Sequence, residues 1–200
     1  MSDYKNIAIM VSGSGTNMTA VIDAVERKEL AANVVLVISS NHNAGAVGKA
    51  RDKGIEAVVA SVGDYGSREK RDEAVLDKLT KHRVDLVVLA GYLGIITDCL
   101  LDKYNNRIIN IHPSLLPKHG GAGMHGLNVH KSVLEAGDSI TGATVHYVGH
   151  EIDGGDIILQ RSIAVSKNDT PQELAKRVLE KVEHGLLIDA IKIVLAKNRV

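Results

Sequence analysis

Short apolar runs alternate with segments of helical periodicity along the first half of the chain, and this alternation restricts the possible folds more than any other feature. Runs rich in Val, Ile, Leu and Ala predict strands over residues 7–11, 33–39, 56–60, 85–90 and 107–112. The segments between them predict helices over residues 16–30, 46–53, 67–82 and 97–104. Strands that are joined through helices pair in parallel, so the sequence predicts an α/β fold with a doubly wound, mostly parallel sheet flanked by helices.

The second half of the chain departs from this alternation. Residues 118–126 are rich in glycine, which favours a flexible connection, and a helix is predicted over residues 128–136. Two further predicted strands, 141–148 and 156–165, are separated by a turn that contains an Asp-Gly pair. We therefore expect these two strands to be antiparallel and the sheet as a whole to be mixed.

The last predicted element is a long C-terminal helix. Residues 170–173 (Thr-Pro-Gln-Glu) combine a capping box with a proline at the first helical position. Aliphatic residues follow at helical spacing: Leu174, Val178, Val182, Leu186, Ile188 and Ile191. Such a stripe predicts that the helix packs on the sheet.

Length and charge narrow the classes of function. The 200 residues fit a single domain, 1–200, and the 24 basic residues are matched by 24 acidic ones, which leaves no basic surplus for nucleic acid. The absence of Phe and Trp argues against a stacking platform for single strands. The apolar run 7–11 is too short for a signal sequence or a membrane span, and the lone Cys99 cannot form an internal disulfide. These features predict a cytoplasmic protein that binds neither nucleic acid nor membranes.

Two polar residues interrupt the predicted strand 107–112. Asn110 and His112 alternate with isoleucines, so the amide and the imidazole lie on the same face of the strand. Pro113 ends the strand, which places the pair at its carboxyl end, where open α/β sheets bind ligands. A buried Asn and His can also serve only to satisfy backbone groups, and the spacing alone does not separate these interpretations.

A carboxylate in the turn between the last two predicted strands favours catalysis. Asp153 can reach a strand-end imidazole, orient it and raise its pKa. The work of acyl transfer is then divided: His112 moves protons, Asn110 donates a hydrogen bond to the developing oxyanion, and Asp153 supports His112. Because the chain has no Gly-x-Ser-x-Gly motif, and Cys99 has no glycine-rich turn nearby, no covalent intermediate is expected.

The loop after the first predicted strand has the composition of an anion site. Residues 12–17 read Ser-Gly-Ser-Gly-Thr-Asn and lead into a helix, whose N-terminus offers free N–H groups and a favourable dipole. The third glycine of the dinucleotide motif is replaced by Met18, and no Lys-Ser or Lys-Thr pair follows as in a P-loop. The expected ligand is a phosphomonoester, with a plain tight turn as the alternative.

Several histidines raise the question of a metal. His119, His125 and His130 are spaced through the glycine-rich part of the chain in no compact ligand motif, and neither a His-Glu-x-x-His sequence nor a pair of cysteines is present. His146 and His150 add no such motif. We therefore expect no metal.

Five segments resemble the folate-dependent formyltransferase family, and in particular its phosphoribosylglycinamide branch. They are residues 12–17 (Ser-Gly-Ser-Gly-Thr-Asn), 89–92 (Leu-Ala-Gly-Tyr), 110–117 (Asn-Ile-His-Pro-Ser-Leu-Leu-Pro), 141–146 (Thr-Gly-Ala-Thr-Val-His) and 153–155 (Asp-Gly-Gly). The segments occur in the order of the family and at similar spacing over nearly the whole chain. Segment 110–117 is shared by all folate-dependent formyltransferases, whereas the Gly-Thr-Asn loop points to the phosphoribosylglycinamide branch.

The resemblance implies a Rossmann-like formyltransferase fold and an activity. The amine of phosphoribosylglycinamide would attack the formyl carbon of 10-formyltetrahydrofolate directly, without a metal, in de novo purine biosynthesis. Residues 1–105 would form a phosphoribosyl-binding half, and residues 106–200 a catalytic and folate-binding half. The implied partners are small molecules, and the implied assembly is a monomer or a homodimer.

The resemblance also implies roles for individual residues. The catalytic set would be Asn110, His112 and Asp153. The substrate phosphate would be bound by Gly15, Thr16 and Asn17, and the glycinamide end would lie near Glu183, which otherwise reads as part of a solvated helix face. The implied folate contacts are Arg68, Leu93, Gly94, Ile95, Ile96 and Asn110.

Departures from the family pattern border the implied folate site, at Gly94, His119, Gly120, His150 and Asp156. One alternative is a sibling activity, either formyltetrahydrofolate deformylase or methionyl-tRNA formyltransferase, although both normally carry an extra domain for which this chain has no room. The other alternative is a non-catalytic nucleotide-binding module, since a fold alone does not give a function.

Overall fold

Within residues 4–197, the range that the computed structural model describes, seven strands form one mixed sheet. The strands are β1 Lys5–Val11, β2 Ala32–Ser39, β3 Glu56–Val59, β4 Leu86–Leu89, β5 Ile108–His112, β6 Ile140–Tyr147 and β7 Ile157–Ala164. Their order across the sheet is β3-β2-β1-β4-β5-β6-β7. β1 pairs in parallel with β2 and β4, and β2 pairs in parallel with β3, whereas β6 and β7 are antiparallel. The predicted α/β fold with a mixed sheet is confirmed.

Helices flank the sheet, and all except α3 overlap segments predicted to be helical. Over the same described residues they are α1 Thr16–Glu26, α2 Gly45–Asp52, α3 Val62–Tyr65, α4 Arg68–Lys81, α5 Asp98–Lys103, α6 Leu127–Glu135, α7 Pro171–Val178 and α8 His184–Lys197. A π-helical turn, Leu179–Glu183, joins α7 to α8. The predicted bounds of α2, α4, α5 and α6 agree with the observed ones within a residue or two.

The burial of β1 explains why its sequence is continuously apolar. Residues 7–11 are all 0% exposed. β1 lies between β2 and β4, and a parallel strand covered on both faces by helices has no polar side to alternate with. The surrounding core is aliphatic because the chain has no Phe or Trp, and its large buried side chains include Met18, Leu36, Ile38, Leu79 and Leu86.

The first helix is shorter than predicted. α1 ends at Glu26, whereas the apolar pattern extends to residue 30. Lys28 has a φ of 61°, which is incompatible with a continuing right-handed helix. The N–H groups of Glu29 and Leu30 instead donate to the carbonyl of Ala24 at 2.9 and 3.2 Å. Leu30 therefore reaches the core through a turn.

The short helix α3 is not predicted, because four residues are too few to show helical periodicity. Its local signal is a capping box. The Ser61 hydroxyl accepts from the N–H of Asp64 at 3.2 Å, and the Asp64 carboxylate accepts from the N–H of Ser61 at 3.3 Å. A capping box alone marks a helix start without giving its length.

The predicted C-terminal helix begins at Pro171 behind the Thr170–Glu173 capping box, as expected, but it is not uniform. The π-helical turn Leu179–Glu183 interrupts it. A π-turn contains one residue more than an α-turn and so changes which side chains face the core. Val182 and Glu183 are both buried on this turn.

The described chain divides into two compact units. One comprises residues 4–109 with 195–197, and the other comprises Asn110–Val194. The first unit contains β1 to β4 and α1 to α5, and the second contains β6, β7, α6, α7 and the π-helical turn. In the part of the chain described, no helix is both long enough and apolar enough to cross a membrane.

Candidate active site

The carboxyl end of β5 carries Asn110 and His112, as strand alternation predicts. Ile109 and Ile111 are buried, at 0% and 5% exposure. His112 is also buried, at 4%, whereas Asn110 is partly exposed. The strand thus holds its imidazole in a low-dielectric environment and presents its amide near the surface.

A buried threonine fixes the segment that leaves β5. The hydroxyl of Thr144, on β6, donates to the carbonyl of Ser114 at 2.7 Å and accepts from the N–H of Leu116 at 3.0 Å. Gln160, on β7, donates to the Leu116 carbonyl at 2.9 Å and to the Thr144 hydroxyl at 2.8 Å. Side chains of β6, the neighbour of β5, and of β7, the next strand beyond it, therefore support the backbone that follows His112.

The structure brings Asp153 close to His112 on β5 and to His146 on β6, and His146 in turn contacts Asn110. One carboxylate oxygen, Oδ2, lies 3.5 Å from Nδ1 of His112, and the other, Oδ1, lies 3.6 Å from Nε2 of His146. The amide nitrogen of Asn110 lies 3.1 Å from the same Nε2 of His146. The three residues predicted to act together thus form one cluster, and His146 completes it.

The turn between β6 and β7 places Asp153 through an unusual backbone. Asp153 has a φ of 55°, in the left-handed region that Asp and Asn tolerate better than most residues. A Cβ at Gly155 would lie only 1.8 Å from the carbonyl oxygen of Tyr147, so the turn can close only with glycine at this position. The N–H of Tyr147 donates to the Asp156 carbonyl at 2.9 Å and joins the two sides of the turn.

The hydrogen-bond partners of His112 determine where its proton lies. Nε2 is 2.9 Å from the carbonyl oxygen of His119, and a carbonyl only accepts, so Nε2 carries a hydrogen. In the neutral ring, Nδ1 is then the nitrogen without a hydrogen. Nδ1 is the atom that faces Asp153, so the proton that His112 can gain or lose lies on the carboxylate side.

Burial governs the charge of His112. It lowers the pKa of the imidazole, and this effect outweighs the Asp153 carboxylate and the His119 carbonyl, which both raise it. The carboxylate acts in the predicted direction, but the net shift is downward because the ring is almost fully enclosed.

Asp153 is shifted in favour of its charged form. Burial raises its pKa, but the nearby imidazole of His146, the hydrogen bond from the N–H of Gly121 and the charge of His112 together outweigh burial and lower the pKa overall. The Gly121 N–H donates to Oδ2 at 2.9 Å. The site therefore holds a carboxylate beside an imidazole.

Sequence reasoning did not assign His146 to the site. Its Nδ1 lies 2.8 Å from its neighbour's carbonyl oxygen, that of Tyr147, so Nδ1 carries the hydrogen and Nε2 accepts from the Asn110 amide. The only signal in the sequence is a histidine within a strand pattern that ends at the turn carrying Asp153. That signal gives no distance between the two side chains.

The loop between β1 and α1 has the geometry of an anion site. Gly15 has a φ of 75° and starts α1, and a Cβ there would lie 2.7 Å from the Cβ of Ala46, so the position requires glycine. Among the described residues, no side chain caps the start of α1. The free N–H groups of this helix start can therefore bind an anion. Lys49 donates to the Ser14 carbonyl at 2.9 Å and adds positive charge beside the loop. Asn17 lies beneath it at 7% exposure.

Ser12 connects this loop to the segment after β4. Its hydroxyl accepts from the N–H of Leu93 at 2.8 Å and lies 2.6 Å from the hydroxyl of Ser40. The N–H of Ser12 donates to the carbonyl of Gly91 at 3.1 Å. One serine thus ties together the ends of β1, β2 and β4.

A buried ion pair on α4 holds the same segment from another side. Arg71 and Asp72 are 1% and 0% exposed, and their side chains are 2.6 Å apart. Arg71 donates to the carbonyl of Ile95 at 2.6 Å, and Asp72 accepts from the N–H of Thr97 at 2.7 Å. The held segment nevertheless exposes apolar side chains, with Leu93 at 61% and Ile95 at 45%.

The sequence analysis missed this pair, although a signal exists. Arg71 and Asp72 precede Val75 by four and three residues, and Val75 precedes Leu79 by four. Charged residues at the spacing of an apolar helix stripe indicate charges on the buried face. Their hydrogen-bond partners are backbone groups of a segment distant in sequence, and residue types do not indicate such contacts.

The remaining predicted residues lie on α4, in the segment after β4 and on the π-helical turn. Arg68 is exposed at the start of α4, and Gly94 and Ile96 are partly exposed. Glu183 is 7% exposed on the π-helical turn, so it does not belong to a solvated face. Among the described residues, no group of three His, Cys, Asp or Glu side chains is placed to hold a metal ion.

Comparison with known families gives a match over most of the chain. The model of the family described as formyl transferase matches residues 5–191. The phosphoribosylglycinamide formyltransferase of Haemophilus influenzae is 37% identical over 177 residues, which are 88% of this chain and 81% of that protein. The chloroplastic phosphoribosylglycinamide formyltransferase of Arabidopsis thaliana is 40% identical over 191 residues, 94% of this chain. This chain spans 64% of that plant protein's length.

Comparison with solved structures gives the same result. The crystal structure of glycinamide ribonucleotide transformylase 1 from Symbiobacterium toebii has a TM-score of 0.91 with this chain and is 36% identical in sequence. The match covers 100% of this chain and 91% of that one. The similarity therefore extends over the whole sheet and its helices.

Proposed function

The chain belongs to the formyl transferase family, and we propose that it transfers the formyl group of 10-formyltetrahydrofolate to the amine of phosphoribosylglycinamide in purine biosynthesis. In this reaction the amine adds to the formyl carbon, and the resulting oxyanion collapses as the folate nitrogen leaves with a proton. The protein must therefore stabilise an oxyanion and move a proton from the entering to the leaving nitrogen. Binding of both small molecules completes its task.

The observation that carries this proposal is the cluster of Asn110, His112 and Asp153. Asp153 lies 3.5 Å from His112 and 3.6 Å from His146, and the amide nitrogen of Asn110 lies 3.1 Å from the same ring of His146. A donor for an oxyanion, an imidazole and a carboxylate at one strand end are the groups that acyl transfer to an amine requires. A binding module has no need for all three.

Proton movement is assigned to the side of His112 that faces Asp153. Because the Nε2 hydrogen is held by the His119 carbonyl, Nδ1 is the nitrogen that exchanges a proton. The carboxylate lies 3.5 Å away, a distance that commonly shortens when substrates bind. Asp153 would stabilise the imidazolium that forms when His112 accepts the amine proton.

Oxyanion stabilisation is assigned to Asn110. Its amide nitrogen carries two hydrogens, and one of them is directed at Nε2 of His146. The other can be donated to the oxygen of the formyl group. His146 would thereby orient the amide, so the donor is in place before charge develops.

The acceptor's phosphate is assigned to the loop that contains Gly15, Thr16 and Asn17. A glycine-bent loop that leads into an uncapped helix start, with Lys49 nearby, fits a phosphomonoester. Glu183, buried on the π-helical turn, would bind the glycinamide amine, because π-turns often occur at functional sites.

The folate is assigned to residues 93–96, with Arg68 for its acidic tail. The exposed side chains of Leu93 and Ile95 fit an apolar ring, and their backbone is held by Ser12, Arg71 and Asp72. Folate would act as co-substrate, and no metal is proposed. We assign the phosphoribosyl group to residues 1–105 and catalysis to residues 106–200, in a cytoplasmic monomer or homodimer.

A single assay tests the proposal. Purified protein, phosphoribosylglycinamide and 10-formyltetrahydrofolate are incubated together, and the folate product is followed, with His112→Ala as the matched variant. Formyl transfer is expected, with a loss of roughly 10²-fold in kcat for His112→Ala, typical of a lost acid–base group. Equilibrium binding of the ribonucleotide is expected to stay close to that of the parent.

A reaction without ribonucleotide is the essential control. Release of formate at the same rate with and without the acceptor would show a deformylase and reject the transfer reaction. Binding of either ligand without turnover by the parent would instead favour the binding-module alternative. Normal turnover by His112→Ala would remove His112 from the mechanism.

A further inference from the structure

The backbone of residues 119–121 contacts two groups of the proposed catalytic cluster at once. The carbonyl of His119 accepts from Nε2 of His112 at 2.9 Å. The N–H of Gly121 donates to Oδ2 of Asp153 at 2.9 Å. Oδ2 is also the oxygen that faces His112, so residues 119–121 hold the imidazole and the carboxylate together from one side. We call these three residues the backbone bracket.

The side chain of His119 anchors the bracket to the end of α6. Its Nδ1 lies 2.8 Å from the hydroxyl of Ser132, and its Nε2 lies 2.9 Å from Oδ2 of Asp138. A carboxylate only accepts, so Nε2 carries the hydrogen and the Ser132 hydroxyl donates to Nδ1. Lys118 donates to the other oxygen of Asp138 at 2.5 Å. The His119 side chain is 8% exposed, so its ring is mostly enclosed by protein.

The backbone of His119 shows why an anchor is needed. Its φ is 56°, in the left-handed region that side-chain-bearing residues rarely adopt. Such a conformation persists only where the surrounding structure determines it. The two ring contacts hold His119 in this conformation. The next two residues, Gly120 and Gly121, restrain the backbone only weakly by themselves.

We propose that His119, clamped by Asp138 and Ser132, is a positioning residue that keeps the backbone bracket aligned with His112 and Asp153. The catalytic consequence rests on the proposed function, because the inference adds a determinant to the same site. His119 acts through its carbonyl and through its neighbour's N–H, so it is not a catalytic residue. Asp138 acts one step further away, through the ring of His119.

Loss of the anchor has a predictable electrostatic signature. The His119 carbonyl raises the pKa of His112, and the Gly121 N–H lowers the pKa of Asp153. A displaced bracket therefore lowers the first pKa and raises the second, so that both groups shift towards their uncharged forms. Asp153 also raises the pKa of His112, whereas the rings of His146 and His119 lower it, and His130 interacts with His112 as well. Loss of the His119 ring therefore opposes the downward shift, but this effect is smaller than that of losing the His119 carbonyl.

The decisive variant is His119→Phe, which removes both ring nitrogens and keeps an aromatic ring of similar size. His125→Phe is the matched control, because His125 is an exposed histidine of the same glycine-rich segment. In formyl-transfer assays, kcat of His119→Phe should fall between ~10- and ~100-fold, as expected of misaligned catalytic groups. KM for either substrate should change less than about threefold, since no ligand contact is assigned to the His119 side chain. His125→Phe should resemble the parent.

A second readout does not depend on activity. The titration of the His112 imidazole is followed by NMR in the free protein, with the resonance assigned through His112→Ala. Its midpoint should move to lower pH in His119→Phe and, by a smaller amount, in Asp138→Asn. Asp138→Asn keeps the shape of the anchor and removes its charge, so it decides the question by the same readouts if His119→Phe does not fold.

The outcomes separate this inference from the proposed function. An unchanged His112 titration with unchanged kcat in folded His119→Phe would overturn the inference, as would an equal loss in His125→Phe. An inactive parent whose His112 midpoint still moves in His119→Phe would reject the proposed function and retain the bracket.

Discussion

At the scale of single residues, two opposing effects decide the charge of His112. Burial favours the neutral ring, and the carboxylate of Asp153 favours the imidazolium. Because burial prevails, the neutral imidazole is favoured at neutral pH, and its Nδ1 can accept a proton. Asp153, whose pKa is lowered, remains charged to stabilise the product of that step.

Removal of this carboxylate has a defined effect on pH dependence. Asp153→Asn removes the charge that raises the pKa of His112, so the kinetic pKa assigned to His112 should fall below that of the parent. kcat should also decrease, by about the 10²-fold associated with loss of acid–base support. The measurement is the pH profile of kcat for both proteins. An unchanged profile would show that the two residues are not coupled.

Residue identity and spacing predicted part of this cluster, while hydrogen-bond geometry supplied the rest. Strand alternation gives Asn110 and His112, and the glycine-rich turn gives Asp153. His146 belongs to the cluster because its ring lies 3.6 Å from Asp153, and the sequence does not show this distance. His119 contacts His112 through its carbonyl, a group that every residue has, so its residue type did not indicate this contact.

At the scale of elements, a change at the start of α1 should affect binding of the ribonucleotide much more than binding of folate. Asn17→Ala should raise KM for the ribonucleotide by roughly 10- to 100-fold, the loss of one hydrogen bond to a charged group. KM for folate should change much less, because the loop is assigned to the phosphate. Steady-state kinetics with each substrate varied in turn provides the measurement. Equal increases in both KM values would mean that the loop has been assigned to the wrong ligand.

The ion pair on α4 should link stability to folate binding. Asp72→Asn leaves the buried Arg71 without its carboxylate partner, which typically costs about 3 kcal/mol, and weakens the contact to Thr97. KM for folate should rise more than KM for the ribonucleotide. Denaturant unfolding and steady-state kinetics give the two quantities. Asp77→Asn, an exposed position on the same helix, is the control and should alter neither.

The length of an element and the kind of its hydrogen bonding decide whether its sequence pattern predicts it. Long periodic segments such as α4 and α6 gave their own bounds, because many residues contribute to the pattern. α3 has four residues and no periodicity to detect. The π-helical turn keeps the residue types of an α-helix and changes only its hydrogen bonding, so it is invisible to pattern analysis.

At the scale of the whole molecule, the alternation of strands and helices determined the fold class, while the burial of individual groups determines stability. His130, on α6, is 3% exposed and has no assigned part in catalysis. Burial, with a smaller effect from the charge of His112, lowers its pKa from 6.5 to about 4. The unfolded chain therefore binds a proton at His130 at a higher pH than the folded chain does.

The lowered pKa of His130 makes the folded protein less stable as pH falls. Above the unfolded pKa, near 6.5, both states are neutral at His130 and the free energy of unfolding is unaffected. As pH falls from 6.5 towards 4, the unfolded state gains the proton first, and stability is lost by up to roughly 3 kcal/mol from this residue.

His130→Leu should therefore lose less stability than the parent between pH 6.5 and pH 4. Leucine fills most of the buried space and cannot be protonated. The free energy of unfolding of the variant should therefore rise steadily relative to that of the parent as pH falls. Urea unfolding at a series of pH values measures it, and His125→Leu, at an exposed histidine, controls for a general effect of removing a histidine. Parallel stability curves for His130→Leu and the parent would show that His130 is protonated equally in the folded and unfolded states.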